Sequence, residues 1–161
     1  MAIKSIQADL WPEILWIQAE VYQDVEPETV EVLQSKWQQS PECCFVYLED
    51  GQVLGYLLAH AWNSDEPPKL FSPLPPDSKG SILFLHDLAI SVKAHGEGLG
   101  TTMIVQLCEL ARQHTFTQIR LVAVQDSLSF WQKQGLVALP KQPVCSSYGD
   151  GATLMWLQLA A

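Results

Sequence analysis

Apolar positions along this chain follow two spacings, one typical of amphipathic helices and one typical of buried strands. Helical spacing covers four stretches, residues 11–22, 27–40, 98–114 and 127–134. Strand-like runs fill the intervals between them: residues 3–8, 43–48, 52–62, 82–92, 117–124, 136–139 and 152–159. The resulting order, β-α-α-β-β-β-α-β-α-β-β, predicts an α/β (α+β) fold in which helices cover a mixed sheet.

The composition is that of one folded unit. The chain has 161 residues, of which 48% are apolar, which is enough for a substantial core and too many for a disordered chain. We therefore expect a single domain over residues 1–161. Residues 63–80 hold five of the ten prolines and predict a long surface loop. Such a loop often covers a site, although a tolerated insertion explains it equally well.

The charge balance narrows the classes of partner. Eighteen acidic residues against nine lysines and arginines give a net charge of −9. Such a chain repels nucleic acids and anionic membranes, so we expect neither as a partner. The charge would attract a cationic substrate such as an amine, unless it serves only solubility.

The cysteines indicate neither a metal site nor a disulfide framework. Cys43, Cys44, Cys108 and Cys145 form no C-x-x-C pair and no grouping with histidine, so we expect no metal. None has a recognisable activating context, which argues against a covalent intermediate on sulfur. The first ten residues are too polar for a signal peptide, and we expect a cytoplasmic protein with reduced thiols.

The most informative segment is an apolar run, residues 82–92, that breaks into a turn with Gly96, Gly98 and Gly100 and then enters a helix. Main-chain N–H groups at such a turn, aided by the helix dipole, bind phosphate without basic side chains. A Rossmann loop would need a third glycine at position 101, where Thr101 stands, and a Walker loop would need Gly-Lys-Ser/Thr. The turn therefore predicts a phosphorylated cofactor of another kind.

Two segments resemble the signatures of the GCN5-related N-acetyltransferase (GNAT) family. The first is Leu88-Ala89-Ile90-Ser91-Val92-Lys93-Ala94-His95-Gly96-Glu97-Gly98-Leu99-Gly100, which is similar to the family's acyl-CoA loop, L-x-V-x-P-x-x-R/Q-x-x-G-x-G/A. The second is Phe130-Trp131-Gln132-Lys133-Gln134-Gly135-Leu136, which resembles F/L-Y-x-x-x-G-F. Both stand in the family's order after the expected elements, and the resemblance covers about residues 45–157.

The resemblance implies a mixed, mostly antiparallel sheet of six to seven strands flanked by about four helices. Two parallel strands, 82–92 and 117–124, would splay apart to receive the thioester of acetyl-CoA, the implied co-substrate. The residues it assigns to acetyl-CoA are Leu88, Ala89 and Ile90 for the pantetheine arm, His95, Gly96, Glu97, Gly98, Leu99, Gly100 and Thr101 for the pyrophosphate, and Ser127 and Phe130 beside them.

The sequence defines the acid and base residues less clearly than the residues for acetyl-CoA. The family's usual proton donor to the thiolate is the tyrosine of the second segment, where this chain has Trp131, whose indole N–H cannot give up its proton. We expect Tyr148, just before the last strand, to replace it. His86 and Asp87 interrupt an apolar strand and are the candidate bases. Strand side chains alternate, so we expect them on opposite faces, with one of the two only a structural hydrogen-bonding group.

The leading hypothesis is therefore an N-acetyltransferase in which a primary amine of a small molecule or peptide attacks the thioester directly. A non-catalytic acyl-CoA-binding sensor is the alternative, because Trp131 replaces the family tyrosine. A nucleotide-phosphate binder that shares only the glycine turn is a third reading. The sequence does not identify the acceptor, and it leaves a homodimer open.

Overall fold

The computed structural model describes residues 2–23, 26–76, 78–94, 96–124, 127–139 and 152–159. Its seven strands are β1 (Ala2–Ser5), β2 (Phe45–Glu49), β3 (Gln52–Trp62), β4 (Ile82–Ile90), β5 (Gln118–Ala123), β6 (Val137–Ala138) and β7 (Thr153–Gln158). The α-helices within these ranges are α1 (Trp11–Val21), α2 (Val30–Gln39), α3 (Leu99–Gln113) and α4 (Leu128–Lys133).

The strands form one open sheet in the order β1-β2-β3-β4-β5-β7-β6. Every neighbouring pair is antiparallel except β4 and β5, which are parallel. The predicted fold class is confirmed, including the mostly antiparallel sheet with one parallel pair and its four flanking helices.

Helices cover both faces of the sheet. The apolar residues of α1 and α2, such as Ile14 and Leu33, pack against Tyr56 and Leu58 of β3. On the opposite face, α3 packs its buried positions against Leu57 and Leu83. Four of these positions, Leu99, Met103, Leu107 and Ala111, are spaced four residues apart and lie on one side of the helix, and the fifth is Ile104.

Local chemistry sets the ends of two elements that the sequence located only approximately. Helix α2 begins at Val30 rather than near Pro27, because the Thr29 hydroxyl accepts a hydrogen bond from the Val32 N–H at 3.3 Å and caps the helix. The β2–β3 hairpin closes at Asp50 and Gly51, both of which have positive φ, as a tight two-residue turn requires.

Candidate active site

Strands β4 and β5 pair at one end and separate at the other. They pair from Ile82 with Gln118 to Phe84 with Arg120, and the described register goes no further, although β4 continues to Ile90. The gap is a cavity of about 350 Å³. Its lining is Leu85, Leu88, Leu121, Val122 and Val124 together with Tyr22, His86, Asp87, Ser127 and Trp131.

The glycine turn has the backbone shape of an anion-binding loop. Gly96 (φ +85°) and Gly98 (φ +74°) lie in the left-handed region, where a side chain is strained, and a Cβ at either would meet no atom of the described residues beyond its chain neighbours within 4 Å. Helix α3 begins directly after Gly98, and the first N–H groups of a helix have no acceptor within it. The turn can therefore present main-chain donors at the positive end of a fifteen-residue helix.

Gly100 differs from the other two glycines. A Cβ at this position would lie 3.1 Å from Cζ of Phe130, so the missing side chain allows α3 to pack closely on α4. Phe130 in turn makes an edge contact with Trp131, their ring centroids 4.9 Å apart. The structure thus places Phe130 behind the turn as a packing residue, and Trp131 on the wall of the cavity.

A carboxylate on α1 holds the segment that enters the glycine turn. Glu20 Oε1 accepts hydrogen bonds from the Ser91 hydroxyl at 2.8 Å and from the Val92 N–H at 2.9 Å. The Ser91 N–H is also bonded to the Leu54 carbonyl on β3. The start of the turn is therefore fixed to α1 and to the sheet at once.

We expect Glu20→Ala to lower the free energy of unfolding by about 1–3 kcal/mol, because two hydrogen bonds to a carboxylate are lost. It should also weaken acetyl-CoA binding, since the turn loses its anchor. Thermal denaturation and calorimetric titration measure the two effects. Glu13→Ala, on an exposed turn of the same helix, is the control, and equal effects in both variants would contradict this role of Glu20.

Strand β4 carries one extra residue opposite β3. Leu58 pairs with Asp87 and Ala59 pairs with Leu85, so His86 has no partner in the register. Such a β-bulge puts two consecutive side chains on one side of the sheet, and bulges of this kind are frequent next to active sites.

Because of the bulge, His86 and Asp87 both point to the sheet face covered by α1 and α2. His86 contacts Glu28 in the α1–α2 connection, and Asp87 contacts Tyr22 at the end of α1. The expectation that they face opposite sides is wrong, since the extra residue breaks the alternation on which it depended. Both side chains border the same cavity.

The His86 ring has one engaged and one unengaged nitrogen. Nε2 lies 2.5 Å from Glu28 Oε1, and the side chain is only 3% exposed. Nδ1 is buried and has no hydrogen-bond partner among the described residues. Buried polar atoms without a partner are rare, and this one belongs to a residue that borders the cavity.

The Asp87 carboxylate, by contrast, has both oxygens engaged. The Tyr22 hydroxyl donates to Oδ1 at 2.6 Å, and the Tyr56 hydroxyl donates to Oδ2 at 2.5 Å. Burial raises the pKa of Asp87, although the His86 charge and the two hydrogen bonds act in the opposite direction. Burial and the neighbouring Asp87 also raise the pKa of both phenols well above 10.

The sequence did not single out Glu28 or Tyr22, because nothing near them forms a motif. Burial raises the pKa of Glu28, but the hydrogen bond and charge of His86 and the charge of Lys36 outweigh it, and the pKa is about 2. Lys36 Nζ is buried 3.9 Å from Glu28 Oε2, and burial lowers the pKa of this lysine.

The remaining predicted residues lie at the cavity, along the edge of β4, or outside the described residues. Ser127 directly precedes α4 at the edge of the cavity, and its hydroxyl donates to the Val124 carbonyl at 2.7 Å. One edge of Leu88–Ile90 pairs with β3, and the other faces the gap. His95 and Tyr148 lie outside the described residues, as does Cys145.

Two searches of the described ranges had negative results. No helix there is both long and apolar enough to cross a bilayer. No group of three or more histidine, cysteine, aspartate or glutamate side chains in those ranges has an arrangement that could hold a metal ion.

Comparison with known proteins relates this geometry to one family. The model of the acetyltransferase (GNAT) family matches residues 11–136. A search of the curated proteins found no match.

Among solved structures, the chain is similar to Ard1 from Thermoplasma volcanium, at 18% identity and a TM-score of 0.75, over 99% of this chain and 98% of that one. It is similar to the GphF GNAT-like decarboxylase, solved with isobutyryl-CoA, at 15% identity and a TM-score of 0.77, and the match covers 99% of this chain and 100% of that one. It is also similar to the ribosomal-protein-S18-alanine N-acetyltransferase from Escherichia coli, at 12% identity and a TM-score of 0.67, over 99% and 94%. At these identities the likeness establishes the fold.

Proposed function

The chain belongs to the acetyltransferase (GNAT) family, and on that premise we propose that it transfers the acetyl group of acetyl-CoA to a primary amine of a small molecule or peptide. The observation that carries the proposal is the cavity between β4 and β5, which is bordered by His86 and by Trp131. The Trp131 ring contacts Phe130, which packs at Gly100 of the glycine turn. A phosphorylated thioester spanning turn and cavity would place its acyl group next to an acid–base side chain.

Acetyl-CoA would use main-chain groups for most of its contacts. We assign its pyrophosphate to the N–H groups of the turn from Gly96 to Thr101. The pantetheine arm would run along Leu88–Ile90, on the edge of β4 that faces away from β3. The solved complex of the GphF GNAT-like decarboxylase with isobutyryl-CoA supports an acyl-CoA as the ligand of this fold.

Of the two candidate bases, we assign the role to His86. The amine nitrogen attacks the thioester carbon and forms the C–N bond, while its proton passes to Nδ1 of His86. The C–S bond then breaks and the thiolate leaves. Asp87 is less suited, because both of its oxygens already accept hydrogen bonds from Tyr22 and Tyr56. We propose that Asp87 holds Tyr22 at the cavity wall.

The departing thiolate needs a proton donor, and Tyr148 remains our candidate. Trp131 lines the cavity, but its indole can donate only a hydrogen bond. A covalent route through sulfur has little support: Cys43 and Cys44 are buried, and burial raises the pKa of both thiols, that of Cys43 to about 12. Direct attack is the simpler mechanism.

The net charge of −9 favours a cationic acceptor, such as a protonated amine that loses its proton on entry. The metal-free mechanism, the cytoplasmic location and the open choice between monomer and homodimer are expectations from the sequence alone.

We expect calorimetric titration to detect acetyl-CoA binding in the micromolar range, and a panel of primary amines to accelerate the release of free thiol from acetyl-CoA. Longer and branched acyl-CoA donors are tested in parallel, since one structural relative was solved with isobutyryl-CoA. A protein that fails to bind CoA at all would overturn the proposal.

A non-catalytic acyl-CoA sensor is the second candidate, favoured by Trp131 in place of the family tyrosine. Such a module would bind CoA, yet no amine would raise thiol release, and Tyr148→Phe would change nothing. Competition by CoA but not by ATP or NAD would exclude a general nucleotide-phosphate binder.

A further inference from the structure

We propose that Glu28 is a positioning residue that fixes the tautomer and orientation of His86, leaving Nδ1 as the basic atom at the acyl cavity. The assignment rests on the proposed acetyl transfer, because it gives that reaction its base. It adds a residue from the α1–α2 connection, 58 positions before His86, to the site.

The first step of the argument is the charge of Glu28. With a pKa of about 2, its carboxylate is ionised at neutral pH and can only accept hydrogen bonds. The His86 nitrogen 2.5 Å away must therefore carry the hydrogen, and that nitrogen is Nε2. In the neutral form that a base needs before it takes a proton, an imidazole with its hydrogen on Nε2 has its lone pair on Nδ1.

The second step is the place of Nδ1. It is the nitrogen that Glu28 leaves without a partner, on a side chain that is 3% exposed and borders the cavity. A carboxylate holding one nitrogen of a buried imidazole, with the other nitrogen left for the substrate, is the arrangement by which an orienting acid makes histidine a base.

The third step is the way in which Glu28 is itself held. Its Oε2 accepts the Phe71 N–H at 2.9 Å and faces Lys36 Nζ at 3.9 Å. Its carbonyl accepts a hydrogen bond from Gln18 Nε2 at 3.4 Å. Phe71 belongs to the proline-rich loop 63–80, so this loop has a structural task at the site: it fixes the carboxylate against His86.

Other titratable groups face this pair without competing for Nε2. On β4 and β3, the Asp87 oxygens are taken by Tyr22 and Tyr56. His60 on β3 lies between Trp62 and Phe84, with its Nδ1 2.9 Å from the Ala61 carbonyl. Burial lowers the pKa of His60 to about 3, so this ring adds no charge at neutral pH.

Lys36 on α2 faces the Glu28 oxygen that does not contact His86. The two Glu28 oxygens therefore serve different partners, Oε1 the imidazole and Oε2 the lysine and the loop. The pairing with His86 is left intact by the contacts that hold Glu28 in place.

The test is the tautomer of His86, read from two-bond ¹H–¹⁵N spectra of the imidazoles, with His86→Asn used to assign its signals. In the wild-type protein we expect the Nε2–H form, and a weaker bias toward it in Glu28→Gln and Glu28→Leu. Glu28→Asp should restore the bias in part. Glu31→Gln, an exposed carboxylate three residues along, is the matched control and should leave the tautomer unchanged.

Kinetics provide the second readout, with acetyl-CoA and whichever amine of the panel gives turnover. We expect Glu28→Leu to lower kcat by about 100-fold, the low end of a general base's contribution, with KM for acetyl-CoA within about twofold of wild type. A purely structural role would instead lower kcat only in proportion to the loss of folded protein, which circular dichroism of the same sample measures, and would leave the tautomer of the folded molecules unchanged.

The wild-type spectrum decides the proposal even if every variant is unstable. An Nδ1–H tautomer in the wild type, or an unaltered tautomer in Glu28→Leu, would overturn the role of Glu28. If no amine gives turnover while the Nε2–H form is found, the acetyl transfer fails and the Glu28–His86 pairing stands. The two failures are thus distinguishable.

Discussion

Gly98→Val is expected to reduce the affinity for acetyl-CoA by at least about 100-fold, which corresponds to about 2.7 kcal/mol. Gly98 has φ +74°, and a Cβ there would point into space that no atom of the residues described by the structure occupies within 4 Å. In our proposal that space belongs to the pyrophosphate, so the valine methyl groups would exclude the cofactor and not disturb the protein core. Calorimetric titration with acetyl-CoA measures the loss.

The matched control for this substitution is Gly51→Val in the β2–β3 turn. Gly51 has φ +77°, and a Cβ there also meets nothing within 4 Å, so the backbone strain is alike, about 1–2 kcal/mol. Both variants should lose similar thermal stability, yet only Gly98→Val should lose cofactor binding. Retained affinity in Gly98→Val would show that the phosphates lie elsewhere.

His86→Gln is expected to lower kcat by about 10²- to 10⁴-fold, the usual contribution of a general base, with little change in KM for acetyl-CoA. Glutamine keeps a polar group of similar reach toward Glu28, but it cannot take a proton from the amine. Steady-state kinetics measure the effect, with the release of free thiol from acetyl-CoA as the signal.

Asp87→Asn is the comparison that separates the two neighbours. The amide keeps the shape of the carboxylate but replaces one acceptor with a donor facing Tyr22 or Tyr56. We expect lower stability and a loss of kcat of about tenfold or less, on the scale of one hydrogen bond. If Asp87→Asn loses more of the wild-type kcat than His86→Gln does, the base has been assigned to the wrong residue.

Most of the fold could be predicted because it follows from local patterns. The strand runs and the spacing of Leu99, Met103 and Leu107 locate the elements, and the glycine turn locates the loop after β4. The faces of His86 and Asp87 could not be predicted, since the bulge arises from the register between β3 and β4 and not from either strand alone.

The partners of the site were also beyond the sequence. Glu28 and Tyr22 reach His86 and Asp87 across 58 and 65 positions, and such contacts leave no trace in spacing. The three glycines of the turn cannot be told apart in the amino-acid sequence. Only the packing of Phe130, thirty residues later, shows that Gly100 serves helix contact whereas Gly98 serves the bend.

The extra residue in β4 determines which of its side chains face the hydrophobic core. Before the extra residue, Leu83 and Leu85 face α3, and after it Leu88 and Ile90 face the same side. The odd-numbered positions face α3 before the insertion and the even-numbered Leu88 and Ile90 do so after it, where Ile90 follows Leu88 by two residues as in a regular strand. Two neighbouring polar side chains therefore share the other side without displacing a single apolar one. A central strand can in this way carry reactive groups and still serve as a continuous hydrophobic wall.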